Sequence, residues 1–269
     1  MVGGRRAAVA EPAHRVVILG ASNVVLDLAT VVSAARQQLG GPLDVLAAIG
    51  HGRGYARPCW VLGRTLPSLV DCGLWQALED RPHLPTYALL TDIGNDLLYG
   101  AGAPHIADCV ATCLQRLAGR CQRMVVTELP LASLARLTPL RFRVMRTLLF
   151  PMSRLTWESV GQQAFALNRR VVELAGEFGA VLQKPQADWY GWDPIHVRRA
   201  VRPRVWQKYV SAWGDAQVAA AAEPAPRGSW REWWYLSTRR PQRRRIGGAE
   251  RWHPQPAGRL RDGTWISLY

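Results

Sequence analysis

Five short apolar runs, each handing over to a stretch patterned for a helix, limit what this chain can fold into more than any other feature. The runs are 15–19, 44–49, 86–93, 124–129 and 180–183, and each is apolar without strict alternation, as strands buried on both faces are. Between them, apolar side chains recur at helical spacing. Val24, Leu28, Val31, Val32, Ala35 and Leu39 form one stripe, stopped by Gly40, Gly41 and Pro42. Ile106, Cys109, Val110, Cys113, Leu114 and Leu117 form a second, ending at Gly119, and Val160, Ala164, Leu167, Val171, Leu174 and Phe178 a third, ending at Gly179. A last helix is opened by Pro203 and turns Trp206, Tyr209, Val210 and Trp213 inward. Strand and helix in alternation imply a central parallel five-stranded sheet covered by helices on both sides. With 48% apolar residues among 269, the chain can bury such a core.

Two segments depart from the repeat. Residues 138–155 follow the fourth run and open with a helix capped by Thr138, with Phe142, Met145 and Leu149 on one face and Arg143 and Arg146 on another. This insertion reads as a packed element, as a lid over the sheet's carboxyl end, or as a helix lying on an anionic surface. From residue 223 the composition shifts to ten arginines, four acids and five of the twelve tryptophans. The organisation expected is therefore an arm at 1–14, a domain at 15–222 with a helical insertion, and an extension at 223–269. That extension holds +6 of the chain's +14. Its Trp230, Trp233, Trp234 and Tyr235, interleaved with Arg231, Arg239, Arg240 and Arg243 to Arg245, suit contact with single-stranded nucleic acid or an anionic membrane surface. They equally suit a tail packed back on the domain with its arginines solvated. Lys184 and Lys208 are the only lysines, so the arginine excess is also a chain-wide preference for one cation.

No apolar stretch is long enough for a membrane span, since Ser22, Asn23 and Asp27 break the longest. Glu11, Pro12, His14 and Arg15 interrupt any signal-peptide core after Arg5 and Arg6. The five cysteines are odd in number and no pair has zinc-ligand spacing. These features predict a cytoplasmic protein with no metal.

Polar groups gather where such a sheet binds ligands, beyond the carboxyl ends of the strands. Gly20-Ala21-Ser22-Asn23 follows the first run and Gly50-His51-Gly52-Arg53-Gly54 the second; Gly94-Asn95-Asp96 follows the third and Asp193-Pro194-Ile195-His196 the fifth. A hydroxyl nucleophile needs a base within hydrogen-bond reach, and that base needs an orienting partner. Ser22, His196 and Asp193 meet those needs, the last two being three residues apart. The backbone N–H groups of Ser22 and Gly52 and the Asn95 amide are the candidate oxyanion donors. Gly50 and Gly54 compete with Gly52 for that role. His51 and Arg53 are candidate contacts to a polar or anionic substrate group. Taken singly, Ser22 reads as a helix N-cap, Asp193 as a turn initiator and Asn95 as a loop residue. A dinucleotide fingerprint fails on spacing, because Tyr55 stands where its third glycine belongs.

In order and spacing, Ser22, Gly52, Asn95 and the Asp193/His196 pair resemble the four blocks of the GDSL or SGNH hydrolases, over about residues 15 to 215. The resemblance implies a flavodoxin-like three-layer α/β/α sandwich and cleavage of an ester or acyl group by Ser, His and Asp. It implies no cofactor and no metal, and a small-molecule, lipid or carbohydrate ester as substrate. Two positions depart from the pattern: Ala21 replaces the acid before the serine, and Ile93 replaces the first glycine of the third block. Those departures motivate a second reading, a weakened hydrolase fold that binds an anionic partner through its tail.

Overall fold

The computed structural model describes residues 10–61, 63–149, 156–214 and 228–269. The chain opens with β1 (His14–Leu19), a one-turn helix α1 (Ser22–Val25), α2 (Leu28–Leu39) and β2 (Leu43–Ala48). A hairpin of β3 (Cys59–Val61) and β4 (Arg64–Leu66) follows, then α3 (Leu74–Asp80), β5 (Thr86–Leu90), α4 (Asn95–Leu98), α5 (Ala103–Ala118) and β6 (Cys121–Thr127). Next come α6 (Leu131–Leu134), α7 (Pro139–Leu149), α8 (Trp157–Glu177), β7 (Val181–Gln183), a 3₁₀ turn at Ala187–Trp189 and α9 (Arg202–Ser211). The tail forms α10 (Trp230–Ser237), β8 (Arg243–Ile246), β9 (Ala249–Trp252), β10 (Gly258–Arg259) and β11 (Trp265–Leu268).

The five expected strands lie side by side and parallel in the order β2-β1-β5-β6-β7. Their side chains alternate between two cores. Val17, Leu19, Leu46, Leu90 and Val126 face α3, α5 and α8, while Val16, Ile18, Val45, Leu89 and Val125 face α2 and α9. Both layers are needed because every residue from Val16 to Leu19 is fully buried. The fold is the α/β/α sandwich that the sequence implies.

The sheet is wider than the expected five strands. β11 pairs parallel with β2 and β10 pairs antiparallel with β11, so the central sheet has seven strands. Both extra strands come from the segment that composition set apart at residue 223. β11 belongs to the core because Ile266 and Leu268 are buried against α2's side of the sheet, and an edge of β2 left open would expose unpaired backbone groups. A second, four-stranded antiparallel sheet, β3-β4-β8-β9, joins the hairpin after β2 to the tail. Residues 1–9 of the expected arm and 150–155 of the expected insertion lie outside the described residues, as do the side chains of Met145, Arg146 and Leu149.

Candidate active site

β1 ends at Leu19, and Ser22 begins α1 after a two-residue turn. Its hydroxyl does not cap the helix. The Ser22 Oγ instead lies 2.7 Å from Nε2 of His196, across 174 residues of sequence. His196 Nδ1 lies 2.6 Å from Asp193 Oδ2. The other carboxylate oxygen, Oδ1, accepts the backbone N–H groups of Ile195 at 3.0 Å and His196 at 3.2 Å. Asp193 therefore both shapes the turn and holds the imidazole. With the carboxylate receiving Nδ1–H, the tautomer left at Nε2 accepts the serine proton. Burial raises the Asp193 carboxyl, but the His196 side chain and the two backbone donors outweigh it and hold the group below its ordinary value. A bridge between Tyr190 and Val197, with Arg198 N–H donating to the Trp189 carbonyl at 2.8 Å, closes the base of this loop.

The second loop presents Gly52 at φ +66°, where a side chain would be strained and an added Cβ would sit 2.5 Å from the Tyr99 hydroxyl. Asp96 fastens this loop to the third. Its carboxylate accepts the N–H groups of Tyr55 at 2.6 Å, Ala56 at 3.2 Å and Arg57 at 3.1 Å, and a side chain at Gly54 would collide with it. Burial outweighs those donors and raises the Asp96 carboxyl. The Asn95 amide donates to the Arg53 carbonyl at 3.0 Å, and it has a second N–H on a side chain that lines the same cavity as Ser22.

The two candidate substrate contacts part company. His51 is exposed at the loop's edge, yet partial desolvation by the loop around it, then the like charges of His196 and Arg64, push its imidazolium below the ordinary value. Arg53 is fully buried. Its guanidinium donates to the carbonyls of Pro67 at 2.9 Å and Ile49 at 3.3 Å, and to that of Tyr269. Arg53 is therefore an internal brace of the loop, turned inward between two glycines, and not a surface for substrate.

Sequence reasoning missed Asp92 and Asn23. Asp92 sits at φ +57°, a conformation Asp tolerates better than most residues. Its carboxylate accepts the Ala21 N–H and the Asn23 amide, each at 2.7 Å. Asn23 also donates to the Ile195 carbonyl at 2.9 Å and accepts the Val197 N–H at 2.9 Å. These two side chains tie the serine turn to the histidine loop. Asp92 is half-buried and borders the cavity beside Ser22; desolvation raises its carboxyl against the opposing pull of Asn23, the Ala21 N–H and His196. The signal was a carboxylate inside an apolar run.

Beside Ser22 opens a cavity of about 110 Å³, room for several waters or a short carbon chain rather than one water. Leu97, Leu129, Leu134, Phe142, Trp157 and Val160 line it. Phe142 is buried and packs at a tilt against Trp157, 5.5 Å between ring centroids, so α7 is a packed wall of the cavity. Arg141 of α7 donates to the carbonyls of Gly191 and Trp192, in the loop that carries Asp193. Among the described residues no cluster of His, Cys, Asp or Glu could hold a metal ion.

Solved structures share this fold. Est24, a carbohydrate acetylesterase from Sinorhizobium meliloti, superposes with a TM-score of 0.51 at 14% identity, over 77% of this chain and 100% of that one. The inhibitor-bound aryl esterase of M. smegmatis gives a TM-score of 0.50 at 14% identity, over 77% and 100%. At such identity the likeness is one of fold. No family model matches the sequence, and no curated protein matches it.

Proposed function

We propose that this protein is a serine ester hydrolase of the SGNH type. The observation that supports this reading most is the chain of contacts Ser22–His196–Asp193, at 2.7 and 2.6 Å, at the mouth of an apolar cavity. Ser22 attacks the acyl carbon while His196 takes its proton, and Asp193 stabilises the imidazolium that forms. The negative charge on the carbonyl oxygen is met by the N–H groups of Ser22 and Gly52 and by the Asn95 amide. Collapse of the tetrahedral species expels the alcohol, which receives the proton from His196. Water then repeats the sequence on the acyl-enzyme, regenerating Ser22. The cavity walls favour an apolar acyl group, and the two solved structures of this fold named above are esterases. A cytoplasmic setting is consistent with five cysteines that are all free; no helix among the described residues is long and apolar enough to cross a membrane.

Hydrolysis of p-nitrophenyl esters tests the assignment. Ser22→Ala should abolish turnover, and Asn95→Ala should lower kcat by about 10²–10³-fold. Equal rates for wild type and Ser22→Ala would remove the nucleophile from the site.

A further inference from the structure

Another cavity, of about 330 Å³, shares no lining residue with the first among the described residues. It lies between the hairpin β3–β4 and the tail elements α10 and β8, and it reaches the candidate site through His51, next to Gly52, and through Val25 on the same helix as Ser22. Leu28, Leu66 and Leu236 supply apolar wall. Among the described residues, the charged groups that line it are cationic: Arg64, Arg239 and Arg244, with His51 beside them.

These cations lack counter-charges. Among the described residues, none of Arg64, Arg239, Arg240, Arg244 or Arg251 has a carboxylate within ion-pair distance. The described acids of the tail are committed elsewhere, Glu250 to Arg243 and both Glu232 and Asp262 to Arg36. Arg244 Nε is buried with no hydrogen-bond partner. Burial, then the like charges of Arg240, Arg64 and Arg251, push Arg244 below the ordinary arginine value. Arg64 of β4 and Arg244 of β8 lie on paired strands, with Arg64 opposite Ile246 rather than an acid, and both border the cavity, so an anion entering it would offset their mutual repulsion. Guanidinium forks fit a phosphate oxygen pair, and a doubly charged phosphate offsets two of them.

We propose that this cavity is an anion site that receives the phosphate of an ester's alcohol portion while the acyl chain lies in the apolar cavity beside Ser22. The substrate class is then an acyl ester of a phosphorylated alcohol, either a soluble compound or a lipid with a phosphate headgroup. The site itself stands on the tail's geometry; its part in substrate choice rests on the ester-hydrolase reading.

The test uses the full chain and separates the two. Glycerol phosphate and inorganic phosphate are titrated calorimetrically into the Ser22→Ala variant, with and without Arg64→Gln and Arg244→Gln. Saturable binding is expected, weakened about tenfold or more by the double substitution, while Arg244→Lys, which keeps the charge and loses the fork, falls between the two. In parallel, kcat/KM is measured for octanoyl glycerol phosphate and octanoyl glycerol. The phosphorylated ester should be favoured about tenfold, and the double substitution should erase that ratio. Turnover of the monomeric ester assigns a soluble source, and turnover only of vesicle-borne lysophosphatidic acid assigns a lipid one; both support the site. Ser22-dependent hydrolysis of octanoyl glycerol with no saturable phosphate binding overturns the anion site and leaves the esterase reading intact. Phosphate binding with no hydrolysis of either ester keeps the site and overturns its role in substrate choice. Binding of anionic vesicles or oligonucleotides that glycerol phosphate does not compete away would make the tail a surface contact and overturn the pocket.

Discussion

Asn23 makes contacts of the kind that position a catalytic group without touching the reaction. Its amide spans Asp92, Ile195 and Val197, so the serine turn and the histidine loop share one clamp. Removing it frees His196 to drift relative to Ser22, and a misplacement of about 1 Å can cost on the order of 10²-fold in rate. Asn23→Ala should lower kcat by about that factor with KM little changed, read by steady-state kinetics on one ester. A KM effect alone would contradict the clamp. Asp193 makes a second residue-scale prediction. Its carboxyl lies below the ordinary value in the fold, so the stability it contributes is fully present above the unfolded carboxyl value of ~3.9 and is lost as pH falls through the lower, folded value. Melting curves below pH 5 should fall less steeply for Asp193→Asn than for the wild type. The Ser22, His196 and Asp193 contacts join residues that the sequence places after strands: Ser22 follows β1, and the Asp193/His196 pair follows β7 across the 3₁₀ turn. Asp92 was not legible: the apolar run read as 86–93 absorbed it, whereas β5 ends at Leu90 and Asp92 turns to φ +57°. The acid missing at Ala21 and the acid overlooked at Asp92 meet, since the Asp92 carboxylate holds the Ala21 N–H.

Helix α7 belongs to the next scale, because one element both walls the cavity and touches the loop that carries Asp193. Phe142 and Trp157 line the cavity with their rings in contact, and Arg141 reaches the Gly191 carbonyl. Phe142→Ala would enlarge the cavity and remove apolar contact, at a stability cost of about 3–5 kcal/mol for so buried a ring. The expected kinetic outcome is a lower kcat/KM ratio for octanoate over acetate esters of p-nitrophenol. An unchanged ratio would take α7 out of acyl selection. Periodicity could find this helix and its Thr138 cap, whose Oγ1 accepts the Arg141 N–H at 3.3 Å, but could not say what it covers. The strands of the tail were hidden for a different reason. β8 and β9 are exposed and arginine-rich, and β11 has only four residues, so neither carries the apolar run that revealed the five parallel strands.

Across the whole molecule, the tail that holds +6 of the +14 and the Ser22–His196–Asp193 contacts belong to one architecture. The tail is bonded to the domain at both edges of its path: β11 extends the central sheet beside β2, and β8 extends the hairpin that follows the glycine loop. Arg53 in that loop donates to the Tyr269 carbonyl, which ties the loop's conformation to the last strand. A segment that composition separates is thus placed to influence the site through the sheet and the loop together. Labelling with a fluorophosphonate, followed by mass mapping of the adduct, tests the esterase reading most directly. A single adduct on Ser22, lost in Ser22→Ala and suppressed in His196→Ala, is the expected result. No adduct, or an adduct on another residue that persists in Ser22→Ala, would contradict it.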